Sequence, residues 1–176
     1  MMMKPRIFLN DKQFMFKEDN LPIIIHGEEG FGATSYTLAV VTEYYLQGNK
    51  ILFLCGYELA HQELAKLVDI TDDKIILLTK EQVNEFVRLV PEFHDGIIVI
   101  KNIELFDESV FNLVATYTNI VISGDINKCS YKEKILNKNF NTKILFSELA
   151  NYRIPKLEKY TAYFIANDTH GVTSLI

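Results

Sequence analysis

Cysteine is nearly missing from this chain: Cys55 and Cys129 are the only two in 176 residues. That excludes a disulfide framework and a cysteine-based metal site. Histidine is also scarce, and His26, His61, His94 and His170 show no ligand spacing. No apolar run approaches the roughly 20 residues of a membrane span. The first residues lack the apolar core and small-residue cleavage site of a signal peptide. A reducing, cytoplasmic location is the resulting expectation. Net charge is −5, which argues against non-specific nucleic-acid binding by the whole surface. There is no internal repeat and no low-complexity linker.

What is present is an ordinary globular composition, 48% hydrophobic and 23% charged, sufficient for one buried core. Short apolar runs alternate with helical patterns. Strands are expected at residues 23–26, 50–55, 74–78, 96–100, 119–123 and 143–146. Helices are expected at 34–47, 58–68, 80–89, 109–117 and 131–136. Strands alternating with helices imply a mainly parallel sheet covered on both faces. Residues 161–166 and 172–176, separated by Asn167-Asp168-Thr169-His170-Gly171, read as a terminal β-hairpin. Residues 1–20 read as an N-terminal arm or small hairpin, and 21–176 as one α/β domain. Phe14, Phe16, Tyr44 and Tyr45 are expected in a core or interface.

Residues 21–47 organise the rest. The run Ile23 to Ile25 enters Gly27-Glu28-Glu29-Gly30-Phe31-Gly32, and a helix opens behind it. Successive amides of such a turn can point into one concavity at a helix N-terminus, where an anion is stabilised. Gly27 and Gly32 fit the two glycines of G-x-x-x-x-G-K-[ST], and Thr34 fits its hydroxyl position. On these residues and this order the chain resembles the P-loop NTPase superfamily, its RecA-like and AAA-like branches most. The resemblance implies a three-layer, parallel-sheet RecA-like domain with ATP or ADP on residues 27–35. It also implies Thr34 on Mg²⁺ and Ser35 capping the turn or helix.

Two positions depart from that pattern. Ala33 stands where the phosphate-binding lysine belongs. At the end of strand 96–100, where relatives place a Mg²⁺-holding Asp and often a Glu, this chain has Lys101 and Asn102; Glu104 and Asp107 come later. Loss of both features favours natural degeneracy over an engineered Lys→Ala change. Lys101 would then supply the charge missing at position 33, weakening Mg²⁺ dependence, or else point to solvent or pair with Glu104 or Asp107. Ser123 or Asp125 would be a polar sensor at the next strand end, or a plain turn.

Around the rim, Tyr57 is a candidate to touch a base or partner, and His26 a packed strand-end residue. Arg153, Lys156 and Lys159 are candidates for a basic finger reaching a neighbouring subunit, against a reading as solvated charges. The segment Lys128–Lys143 holds five lysines and one acid, a possible nucleic-acid contact or a solvated helix and loop. The reading that follows is a degenerate RecA-like protein with little or no hydrolysis, a regulatory or structural subunit of a larger, possibly DNA-associated assembly. The alternatives are an active ATPase or nucleic-acid motor carrying a Lys→Ala change, and a nucleotide-free interaction scaffold.

Overall fold

The computed structural model describes residues 5–150 and 152–176; the first four residues of the expected arm lie outside the described residues. The chain runs through β1 (Ile7–Leu9), β2 (Lys12–Gln13), β3 (Ile23–His26), α1 (Ala33–Leu46), β4 (Ile51–Cys55), α2 (Glu58–Leu64) and β5 (Ile75–Thr79). It continues through α3 (Val83–Leu89), β6 (Ile97–Lys101), α4 (Glu108–Val114), β7 (Ile120–Gly124), α5 (Lys132–Asn137), β8 (Thr142–Leu145), β9 (Ala162–Ala166) and β10 (His170–Leu175). The described strands form one sheet in the order β2-β1-β10-β9-β8-β3-β7-β6-β4-β5.

Pairing is parallel from β8 to β5 and antiparallel from β8 to β2. The parallel strands are apolar on both faces because helices cover both. Side chains alternate between faces along each strand. Ile23, Ile25, Phe53, Val99 and Val121 therefore meet α1 and α2, while Ile24, Leu54, Ile98 and Ile122 meet α3, α4 and α5. This gives the expected three layers, with β3 and its loop near the middle of the sheet.

The sheet is mixed rather than wholly parallel, and the antiparallel part is larger than the terminal hairpin alone. The N-terminal segment is a hairpin that joins the same sheet through β1 and β10, with Ile7 opposite Leu175. Phe14 and Phe16 follow it inward. Phe14 packs edge-on against Phe16 and Phe164 at 5.0 and 5.2 Å, and Phe16 against Tyr36 at 6.4 Å. Tyr44 is buried in the same cluster, and Tyr45 donates to Asp72 at 2.6 Å. These aromatics are core, as their pattern implied.

His61 is the weak point of the α2 layer. It is buried, edge-on to Phe53 at 5.4 Å, and its Nε2 has no hydrogen-bond partner. Burial lowers its pKa from 6.5 to about 4. Between those values the unfolded chain takes up a proton that the folded chain refuses, so stability falls as pH falls from 6.5 to about 4. The loss ascribable to this residue is about 3 kcal/mol, from 1.36 kcal/mol per pKa unit. Denaturant melts at pH 7 and pH 4 should show His61→Leu losing about 3 kcal/mol less than the parent.

Candidate functional site

The geometry begins at β3. His26 ends the strand fully buried, with Nδ1 accepting from the Ile126 amide at 3.0 Å. Its Nε2 is therefore the protonated nitrogen, and it donates to the Glu148 carbonyl at 3.1 Å. Burial is the main cause of its lowered pKa, which keeps the ring neutral. His26 thus ties the end of β3 to the segments after β7 and β8. It is a scaffold residue.

From there the chain turns through residues 27–32. Gly30 and Gly32 have φ of 89° and 100°, left-handed backbone that glycine adopts freely. Gly27 is fixed by space instead: a Cβ there would lie 2.9 Å from Ala33 Cβ and 3.0 Å from Phe146 Cβ. Glu28, Glu29, Gly30 and Phe31 are exposed, as are Thr34 and Ser35 on the first turn of α1. Among the described residues, no acceptor takes the amides of Glu28, Glu29, Gly30, Gly32, Ala33, Thr34 or Ser35. Gly32, at the N-cap, supplies no side-chain cap. The first turn of a 14-residue helix is therefore left with its orphan N–H groups and positive dipole end facing solvent.

Lys101 is the last residue of β6, one residue beyond the expected strand end. It lies in register between Cys55 of β4 and Ser123 of β7, and Ser123 is in register with Ile25 of β3. In-register neighbours share a face, and Ser123 Oγ is 2.8 Å from Thr37 Oγ1 on α1. The Lys101 side chain therefore lies on the α1 side of the sheet. It is 4% exposed, so the solvent-facing alternative is excluded. Among the described residues it makes no hydrogen bond and no ion pair. Desolvation lowers its pKa, opposed by the nearby Cys55 and Glu104.

The Ser123 hydroxyl is buried and shared with Thr37, which itself donates to the Ala33 carbonyl at 2.8 Å. Asp125 is also buried, with Oδ2 3.9 Å from Lys128 and Oδ1 without a partner. Glu104 proves to be part of this group. Asn102, at φ 62°, turns the chain back after β6, and Glu104 Oε2 accepts the Asp125 amide at 2.7 Å. Burial is the main cause that raises the Glu104 pKa. Asn102 was the available clue, because asparagine tolerates left-handed backbone and marks a reversal. Among the described residues, no three His, Cys, Asp or Glu side chains converge on a possible metal position.

Other predicted residues fall elsewhere. Tyr57 stands exposed ahead of α2. Arg153, Lys156 and Lys159 are exposed, and Lys159 Nζ lies 4.8 Å over the Tyr160 ring. The lysine-rich segment is largely spent on its own chain. Lys134 pairs with Glu108 at 3.3 Å, and Lys143 donates to the Phe140 carbonyl at 3.4 Å. Lys138 donates to the Ala115 and Tyr117 carbonyls at 2.8 and 2.7 Å, closing the C-terminal end of α4.

By sequence, no protein-family profile and no curated protein matches this chain. Solved structures do match its shape. The cytoplasmic domain of EssC superposes with a TM-score of 0.67 at 13% identity, over 98% of this chain and 43% of that one. Thermomonospora curvata EccC, ATPases 2 and 3 in complex with a signal sequence peptide, gives 0.63 at 13%, over 97% and 40%. The flagellar accessory protein FlaH from Methanocaldococcus jannaschii gives 0.53 at 12%, over 82% and 76%. The fold is that of RecA-like P-loop ATPase domains. This chain spans less than half the length of the EssC and EccC chains it matches. No helix among the described residues is long and apolar enough to cross a membrane.

Proposed function

We propose that this domain is a degenerate RecA-like module that binds ATP or ADP, or derives from one that did, and hydrolyses it little or not at all. Its role is regulatory or structural, within a larger assembly. The observation that carries the reading is the buried, unpaired Lys101 ammonium on the α1 side of the sheet. A lysine charge drawn out of water is costly to maintain even with the Glu104 carboxylate nearby. An anion held at the start of α1 is the partner that would offset that cost.

The residues present suit a nucleotide's phosphates better than they suit a catalytic metal. The free amides of Glu28, Glu29, Gly30, Gly32, Ala33, Thr34 and Ser35 and the α1 dipole would hold the phosphates, with Lys101 replacing the charge absent at Ala33. Thr34 is the hydroxyl available to Mg²⁺. With Lys101 at the strand end where relatives hold the metal by an Asp, that contribution is reduced. Little positive charge remains for the equatorial oxygens of a transferring phosphoryl group, the chief requirement for turnover. Partners remain proteins or further copies of the chain; DNA association finds little support in a lysine segment that is largely paired internally.

Calorimetric titration with ATP and ADP, once with Mg²⁺ and once with chelator, tests this reading. Micromolar binding in both conditions is the expected result. Binding that requires Mg²⁺ would point to a nearly intact site altered only at position 33. No heat and no thermal stabilisation at millimolar nucleotide would leave the interaction scaffold.

A further inference from the structure

The chain after β8 returns to the phosphate loop. A Cβ on Gly32 would lie 3.3 Å from Tyr160 Cδ1 and 3.5 Å from Tyr160 Cα. Ring and backbone of Tyr160 therefore both rest against the last loop residue before α1. The residue is nonetheless 57% exposed. Tyr160 also holds φ 65°, a backbone state uncommon for a bulky side chain and costly to maintain. Packing does not require this aromatic, since most of its surface stays in water. Lys101, buried on the α1 side of the sheet without a hydrogen bond or ion pair among the described residues, adds a positive charge that an anion at the start of α1 would offset.

We infer that Tyr160 is the base-stacking residue of this site. With phosphates on the loop amides, the purine of an adenine nucleotide covers the exposed part of the Tyr160 ring. Lys159, with its Nζ 4.8 Å from the ring centroid, is a flexible side chain that a purine can displace from that face. Phe31, 42% exposed on the loop itself, is the rival platform. Strain favours Tyr160: Phe31 is not among the residues with positive φ. The inference rests on the nucleotide-binding reading.

The test compares the parent with Tyr160→Ala, Tyr160→Phe and Phe31→Ala, using ATP and inorganic tripolyphosphate in chelator, with thermal melts as a check on folding. Removing a stacking aromatic should weaken ATP binding about tenfold. Tripolyphosphate affinity should stay unchanged, and Tyr160→Phe should bind ATP like the parent. Ethenoadenosine triphosphate fluorescence should be quenched by the parent and not by Tyr160→Ala. Equal ATP affinity in the parent and Tyr160→Ala overturns the inference, as does an equal loss for tripolyphosphate, or a loss only in Phe31→Ala. A parent that binds tripolyphosphate as tightly as ATP overturns base stacking and leaves phosphate binding standing. A parent that binds neither overturns both.

Discussion

Ala33→Lys is expected to tighten ATP binding roughly 10- to 100-fold, the value of one charge-assisted hydrogen bond of about 1.5–3 kcal/mol. The substitution is sterically mild at its root, because lysine keeps the Cβ that already packs on Gly27. The longer chain starts at the first helical residue, beside amides that have no other acceptor. Hydrolysis should remain near background, because a lysine at position 33 does not restore an acidic group at Lys101. Calorimetry and a phosphate-release assay on the same preparation check both halves. Turnover rising with affinity would mean that position 33 alone had been missing, and that the site is otherwise that of an ATPase.

Lys101→Met should act in opposite directions on stability and binding. The parent draws a lysine largely out of water, without a hydrogen bond or ion pair among the described residues and with the Glu104 carboxylate nearby. An apolar replacement of similar length should raise unfolding stability by about 1 kcal/mol, the low end of the penalty for a buried polar group without a hydrogen bond. The same change should weaken ATP binding at least about tenfold, the low end for a charged contact. The pH dependence gives a further check. The folded pKa of Lys101 lies below its ordinary 10.5. As pH rises towards 10.5 the folded chain sheds this proton before the unfolded chain does, so the parent gains stability there. The advantage of Lys101→Met should therefore shrink at alkaline pH. If Lys101→Met is less stable than the parent and binds ATP equally, Lys101 is a packing residue and carries no site.

Local pattern made the central sheet legible. The span of β3 was read to the residue, and the buried parallel strands announced themselves as continuous Ile, Val and Leu runs. Strand ends were harder. A lysine closing β6 looks like a loop residue, yet its backbone still pairs with β7, and its position decides what the site can do. In the same way β10 begins at His170, two residues early, because the hairpin register with Ile165 outweighs the poor strand preference of Gly171. The helix expected at 58–68 ends at Leu64, and the one expected at 80–89 opens as a 3₁₀ turn. Those are short-range competitions that composition does not resolve.

Contacts between distant residues left no local trace. Nothing near Gly32 announces Tyr160, 128 positions away, although lysine neighbours of Tyr160 were noticed for their charge. Glu104 was visible as an acid but not as a ligand of the Asp125 amide, since that depends on the reversal at Asn102. Lys138 and Lys143 looked like surface charges because their acceptors, the carbonyls of Ala115, Tyr117 and Phe140, are backbone groups. A carbonyl has no signature in a sequence.

Pairing between β1 and β10 bears on how a ribosome delivers this protein. Arg6 and Ile176 exchange both backbone hydrogen bonds, at 3.0 and 2.9 Å, so the earliest strand is completed only by the latest. At 5–20 residues per second, translation keeps β1 waiting roughly 10–30 s for its partner. During that interval the hairpin of β1 and β2 has an unpaired edge, and Phe14 and Phe16 lack Phe164 to close over them. This stretch of nascent chain is thus most exposed to wrong pairing at β1 and β2, and vectorial synthesis completes the antiparallel pairing of the domain last.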